Sequence, residues 1–215
     1  MELNKLNIFD ACINGYLDRV IELFENGIDL EEQSRHGLTA LQWASNTCQL
    51  EVIKYLVEKG ANLENSGNIG LTPLTLASKF GNLETVKYLI NKGANINGDK
   101  MSPLLSSIMN DKEEITIYLI KNGANLKTNN DHGLYPMSYS VLKNQFNVIK
   151  YLINYGANID EINERDNNNT PLIYASKYKY HNLVKYLLNK GANKHLKNKE
   201  NKVAYDYLQI PELKI

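Results

Sequence analysis

The triplet Gly-Ala-Asn occurs five times in this chain of 215 residues, at Gly60-Ala61-Asn62, Gly93-Ala94-Asn95, Gly123-Ala124-Asn125, Gly156-Ala157-Asn158 and Gly191-Ala192-Asn193. A degenerate copy, Gly27-Ile28-Asp29, precedes them, and the steps between successive glycines are 33, 33, 30, 33 and 35 residues. A period of that size means one small structural unit, repeated and stacked, instead of a globular core around a single cleft. The 43% hydrophobic content allows a sizeable core, spread along the stack.

One unit, from Gly67 to Gly98, shows the pattern. Thr72 can cap a helix through its side-chain oxygen, and Pro73 then falls at the first helical position, where its missing N–H costs nothing. Leu74, Ala77 and Ser78 follow at helical spacing, their small members allowing a neighbouring helix to come close. Gly81-Asn82 breaks that helix. Leu83 to Ile90 forms a second, amphipathic run of period 3.6, which Gly93 ends in the left-handed conformation. The polar stretch that follows suits a protruding hairpin. First helices open the same way at Thr39-Ala40-Leu41, Ser102-Pro103-Leu104, Tyr135-Pro136-Met137 and Thr170-Pro171-Leu172. Lys-Tyr-Leu at 54–56, 87–89, 150–152 and 185–187, with Ile117-Tyr118-Leu119, marks the second helices.

These motifs, recurring in register over nearly the whole chain, closely resemble the ankyrin repeat. The resemblance implies an all-α repeat solenoid of about six stacked repeats, each a helix–turn–helix with a hairpin finger, in a curved L-shaped array. It divides a single domain, 1–215, into an N-terminal capping repeat (1–33), repeats at 34–66, 67–98, 99–129, 130–164 and 165–197, and a truncated C-terminal cap (198–215). In that cap Val203 to Leu208 is expected to form a first helix, stopped by Pro211. The family's His after Pro-Leu is replaced by Gln42, Thr75, Leu105, Ser138 and Ile173, so its hydrogen bonds between adjacent loops are not expected here. One finger is three residues short and the last is two longer, with Asn168 in place of the finger glycine, a residue that tolerates the left-handed region.

Net charge is zero, from 24 basic and 24 acidic residues, which excludes a wholly basic nucleic-acid glove. No window approaches eighteen consecutive apolar residues, so no membrane span is expected. The start lacks a secretory signal, and Cys12 and Cys48 read as free thiols of a reducing compartment. The chain is expected to be cytoplasmic, or in a host cytosol if it is a secreted effector. Abundant Asn, Lys, Ile and Tyr read as the signature of an AT-rich genome; with the family association, that composition raises a host-directed effector.

Nothing points to catalysis, a metal or a cofactor. His36 and His132 precede equivalent finger glycines and read as turn chemistry, and no zinc, thiol-redox or nucleophile-elbow motif is present. Gly93 to Lys100 approaches a phosphate-binding loop, but puts Asp99 where the lysine belongs and follows a helix. Trp43 reads as framework packing, and Leu38, Leu71, Met101 and Leu134 as a row stacked along the fingers.

The resemblance places a protein partner on the fingers and the exposed ends of the first helices, the concave face. The candidate contacts are Arg35, His36, Asn68, Ile69, His132, Asp166 and Asn167 on fingers, and Asn46, Lys79, Phe80, Met109, Asn110, Leu142, Lys143, Lys177 and Tyr178 at helix ends. Phe80, Met109, Leu142 and Tyr178 form an apolar stripe if aligned. Residues 1–65 hold 5 basic and 11 acidic residues, whereas 140–215 hold 12 and 7. Between 167 and 202 there are 8 Lys and one acid, Glu200, interleaved with tyrosines. The rival reading is therefore anion or nucleic-acid binding at the basic last repeat, with solvated lysines as the plain explanation. The expected state is a monomer, with head-to-tail self-association left open.

Overall fold

The structure, a computed structural model, describes residues 6–129 and 133–208. His132 and Pro211 lie outside the described residues. Among the described residues there are twelve α-helices: α1 Ile8–Asn14, α2 Leu17–Glu25, α3 Ala40–Asn46, α4 Leu50–Glu58, α5 Pro73–Phe80, α6 Leu83–Asn91, α7 Pro103–Met109, α8 Glu113–Lys121, α9 Pro136–Leu142, α10 Phe146–Asn154, α11 Pro171–Lys177 and α12 His181–Asn189. A short 3-10 helix, Ala204–Tyr207, follows. The chain forms two compact units, Met1–Leu119 and Ile120–Ile215, with the boundary inside α8.

In the first unit, α3 packs between α1 and α5, and α5 between α3 and α7; α4 and α6 lie behind α3 and α5. In the second, α11 packs between α9 and the 3-10 helix, with α10 behind α9 and α12 behind α11. The second helices of each pair bury one stripe: Val52, Ile53 and Leu56 on α4, Val86 and Leu89 on α6, Val148, Ile149 and Leu152 on α10, Leu183, Val184 and Leu187 on α12. Truncating one such leucine to alanine typically costs about 2–5 kcal/mol.

Each residue of the triplet has its own physical reason. The glycines have φ between 85° and 95° and end the second helices. The following N–H turns back to a helix carbonyl, as in Ala61 to Leu56 and Ala94 to Leu89, both 3.0 Å. Ala61, Ala94, Ala124 and Ala192 are buried. The Asn side chain closes a turn by accepting the N–H two residues on, as Asn62 does from Glu64 (2.9 Å), Asn95 from Asn97 (3.0 Å), Asn158 from Asp160 (3.0 Å) and Asn193 from His195 (3.0 Å).

Thr39, Thr72 and Thr170 cap their helices as expected, accepting from Gln42, Thr75 and Ile173 N–H. Gln42 also donates from Nε2 to Leu71 O at 2.8 Å, and Thr75 Oγ1 donates to Met101 O at 3.1 Å. Loop-to-loop hydrogen bonds thus survive at two of the positions that lack histidine, because Gln and Thr carry donors of sufficient reach. The last cap differs from expectation: Ala204–Tyr207 is one 3-10 turn, not an α-helix. Its leading residue, Val203, has no side-chain oxygen, and the Asp206 carboxylate accepts the Val203 N–H instead, at 2.8 Å. The fingers are turns, and among the described residues they make one isolated bridge, Asn163 to Asn169. Asn168 sits in the left-handed region at φ 57°, as the sequence implies.

Candidate interaction site

The candidate helix-end residues occupy the C-terminal ends of the first helices. Asn46 ends α3, Lys79 and Phe80 end α5, and Met109 ends α7 with Asn110 as its C-cap. Because α3, α5 and α7 pack in sequence, these ends run along one side of the first unit. In the second unit Leu142 ends α9, with Lys143 as C-cap, and Lys177 ends α11, with Tyr178 as C-cap. The apolar members are unequal: Phe80 is 44% exposed and Tyr178 50%, while Met109 and Leu142 are half-buried. The Lys79 ammonium lies 5.2 Å from the Phe80 ring centre. Tyr178 stacks on Tyr180 at 5.9 Å, and the Tyr180 hydroxyl donates to Leu142 O at 3.4 Å. The aromatic pair is thereby anchored on α9.

The finger residues separate into presented and engaged ones. Arg35 and His36 are exposed, with Arg35 Nε 3.2 Å from His36 Nε2. His36 meets the Trp43 ring edge-on at 5.9 Å, and Trp43 Nε1 donates to Ser34 Oγ at 3.0 Å. Trp43 is half-buried, so it serves the base of this loop as well as the framework. Asn68 N–H donates to Gly37 O at 3.1 Å, and a Cβ on Gly37 would collide with the Asn68 side chain. That close approach needs glycine. Ile69, beside it, is 48% exposed.

Asp166 and Asn167 are already bonded within the chain. Tyr174, 2% exposed, donates its hydroxyl to Asp166 Oδ2 at 2.6 Å and accepts from Asn163 Nδ2 at 3.1 Å. Burial, followed by the neighbouring Asp166 carboxylate, pushes the Tyr174 hydroxyl well above the ordinary tyrosine range. Asn167 Nδ2 donates to Glu200 Oε1 at 2.8 Å. Asn198 Nδ2 bridges Asn169 Oδ1 (3.0 Å) and Tyr207 OH (2.9 Å). Sequence reasoning missed Tyr174 as the organiser of the longest finger. Its signal was an aromatic with a polar tip, on the helix that follows the one extended loop.

Several lysines of the basic stretch have local partners too. Lys190 lies 5.8 Å from the Tyr186 ring centre, Lys199 Nζ donates to Glu164 O at 2.7 Å, and Lys202 pairs with Glu200 at 3.1 Å. Lys177 and Lys179 are exposed at the turn between α11 and α12. Burial pushes the Cys12 thiol up to about 12 and raises that of Cys48. Among the described residues no group of three or more His, Cys, Asp and Glu side chains is placed to hold a metal ion. No helix there is long and apolar enough to cross a membrane. The chemistry on offer is hydrogen bonding, stacking and apolar contact.

A family model described as ankyrin repeats (3 copies) matches residues 8–100, 62–130 and 104–198. The chain belongs to the ankyrin-repeat family. No curated protein sequence matches this ankyrin-repeat chain. Among solved structures it is similar to the ankyrin repeat domain of Bcl-3, a member of the IkappaB protein family, with a TM-score of 0.84 and 22% identity over 96% of this chain and 95% of that one. The human ASB11 ankyrin repeat domain gives a TM-score of 0.80 and 22% identity, over 97% and 93%. At that identity the likeness is one of fold: an all-α solenoid of stacked repeats. Ankyrin repeats are in general protein–protein interaction modules, and proteins of this kind are typically non-catalytic.

Proposed function

We propose that this ankyrin-repeat chain is a non-catalytic module that holds a protein partner on the loop tips and the ends of its first helices. The observation that carries this reading is the pair Phe80 and Tyr178. Both stand eight residues after a threonine cap, at equivalent ends of α5 and α11, and both leave about half of a large aromatic side chain in water. Such exposure at a repeat-equivalent place leaves apolar ring surface open to contact, and aromatic anchors are the usual source of binding energy at an interface. A preformed surface of short, capped helices loses little entropy on association. Arg35, His36 and Ile69 would set specificity around it.

Anion or nucleic-acid binding at the basic last repeat is the alternative, favoured by the 8 Lys against one acid between 167 and 202. A capture experiment from cell lysate separates the two, using wild type, Phe80→Asp/Leu142→Asp and Lys177→Glu/Lys179→Glu, with and without nuclease. A protein retained by wild type and by the lysine variant, but lost with Phe80→Asp/Leu142→Asp, supports the module reading. Retention that survives the apolar variant and disappears with nuclease or with the lysine variant overturns it.

A further inference from the structure

Three joints between successive loops of this chain are tied by carboxylates. Glu31 Oε1 accepts the Asn62 N–H at 2.8 Å, Glu64 Oε1 accepts the Asn95 N–H at 2.8 Å, and Asp160 Oδ1 accepts the Asn193 N–H at 2.9 Å. In each case the acid stands two residues after the Asn or Asp of one triplet, and the donor is the Asn of the next. After Asn95 that register holds Asn97, and after Asn125 it holds Lys127, the one basic residue among them. The Asn158 N–H accordingly meets no carboxylate among the described residues, and neither does the exposed Lys127 ammonium. Both residues line a cavity of about 270 Å³, together with Leu126, Tyr135, Glu161 and Ile162.

We propose that this cavity receives an acidic side chain of the protein partner, whose carboxylate accepts from the Asn158 N–H and pairs with the Lys127 ammonium. The inference rests on the interaction-module reading and names one chemical feature of the partner. Three internal rungs show that a carboxylate at this register has the reach to meet the amide. Lys127 reverses the local charge, so the attraction is now toward a carboxylate from outside. Leu126 and Ile162, the latter 42% exposed, offer apolar contact to the stem of a glutamate and to its neighbour. Among the described residues, the titratable groups lining the cavity are Lys127, Tyr135 and Glu161. Glu161 opposes an incoming acid, but its carboxyl is turned to the Ser138 N–H at 2.6 Å. Burial lifts that carboxyl to about 7, so in mildly acidic solution the wall is mostly uncharged.

The test uses the full chain, labelled for amide NMR, at about pH 6, where Glu161 is mostly neutral. The probe is acetyl-Asn-Leu-Glu-Asn-Ser-amide, the chain's own 62–66 rung sequence. Saturable shifts of the Asn158 amide are expected, with affinity roughly tenfold weaker for the same peptide carrying Gln in place of Glu and for Lys127→Met. Lys127→Glu supplies the rung internally: it should raise the denaturation midpoint, move the Asn158 amide without any peptide, and abolish the response to peptide. Equal shifts with the Gln peptide or with inorganic phosphate overturn the proposal, as does a Lys127→Glu protein with unchanged midpoint and Asn158 shift. A partner captured through Phe80 and Leu142 that binds Lys127→Glu as tightly as wild type overturns the carboxylate receptor alone and leaves the module reading standing.

Discussion

Lys179 has φ 59°, in the region where a side chain normally crowds its own carbonyl. The same place in the other repeats, the turn between paired helices, holds Gly15 (φ 74°), Cys48 (61°), Gly81 (99°), Asp111 (55°) and Asn144 (53°). The turn geometry therefore demands a left-handed residue whatever the sequence supplies. Asp and Asn tolerate it through local hydrogen bonding; Lys has no such compensation. Lys179→Gly is expected to raise the unfolding free energy by about 0.5–1 kcal/mol, the relief of strain exceeding the added entropy of the unfolded chain. Urea denaturation reads this as a higher midpoint at unchanged slope; a lower midpoint would mean that the Lys179 side chain contributes more than its backbone costs. At this scale the sequence is legible only where the residue type is itself a marker. Asn168 announced its conformation and Lys179 did not, because lysine carries no turn signal.

Helix α9 has Tyr135 at its N-cap and no cap hydrogen bond from that side chain. The missing acceptor comes from another element: Glu161, 7% exposed in the next finger, takes the Ser138 N–H. Burial raises its carboxyl from the ordinary 4.5 to about 7, against the opposing pull of the Ser138 hydrogen bonds. Between those two values the folded chain holds a proton that the unfolded chain has released. Stability from this group is complete below about pH 4.5 and is lost as pH rises through about 7, a difference on the order of 3 kcal/mol. Glu161→Gln keeps a carbonyl acceptor and cannot ionise. Its unfolding free energy should show a shallower fall across that interval than wild type, and should exceed wild type at about pH 8. Identical pH profiles for the two proteins would show that Glu161 ionises in the folded state as freely as in water. The helix itself was legible from Tyr135-Pro136-Met137, since proline at the first position fixes φ. Its cap was not, because the capping group lies 23 residues away, in a loop that reads only as polar.

Across the whole molecule, stability in a repeat array is close to a sum of neighbour terms, so an element flanked on both sides outlasts one at an end. α3, between α1 and α5, α5, between α3 and α7, and α11, between α9 and the 3-10 helix, are flanked in this way. Hydrogen exchange should leave their amides protected after those of α1 and of Ala204–Tyr207 have exchanged. Uniform exchange across all of these elements would point to a single cooperative unit instead. The repeat architecture was legible at this scale because its period is written in glycines. The carboxylate rungs bear on how such a chain grows. Acceptor and donor belong to different repeats, and the donor is a main-chain group that any residue but proline supplies. A gene segment encoding 34–66 therefore carries its own fastening, Glu64, and can be copied ahead of any downstream repeat without matched changes in it. Lengthening by duplication needs no redesign of the joint, and a lysine at that place is what marks a joint released from this duty.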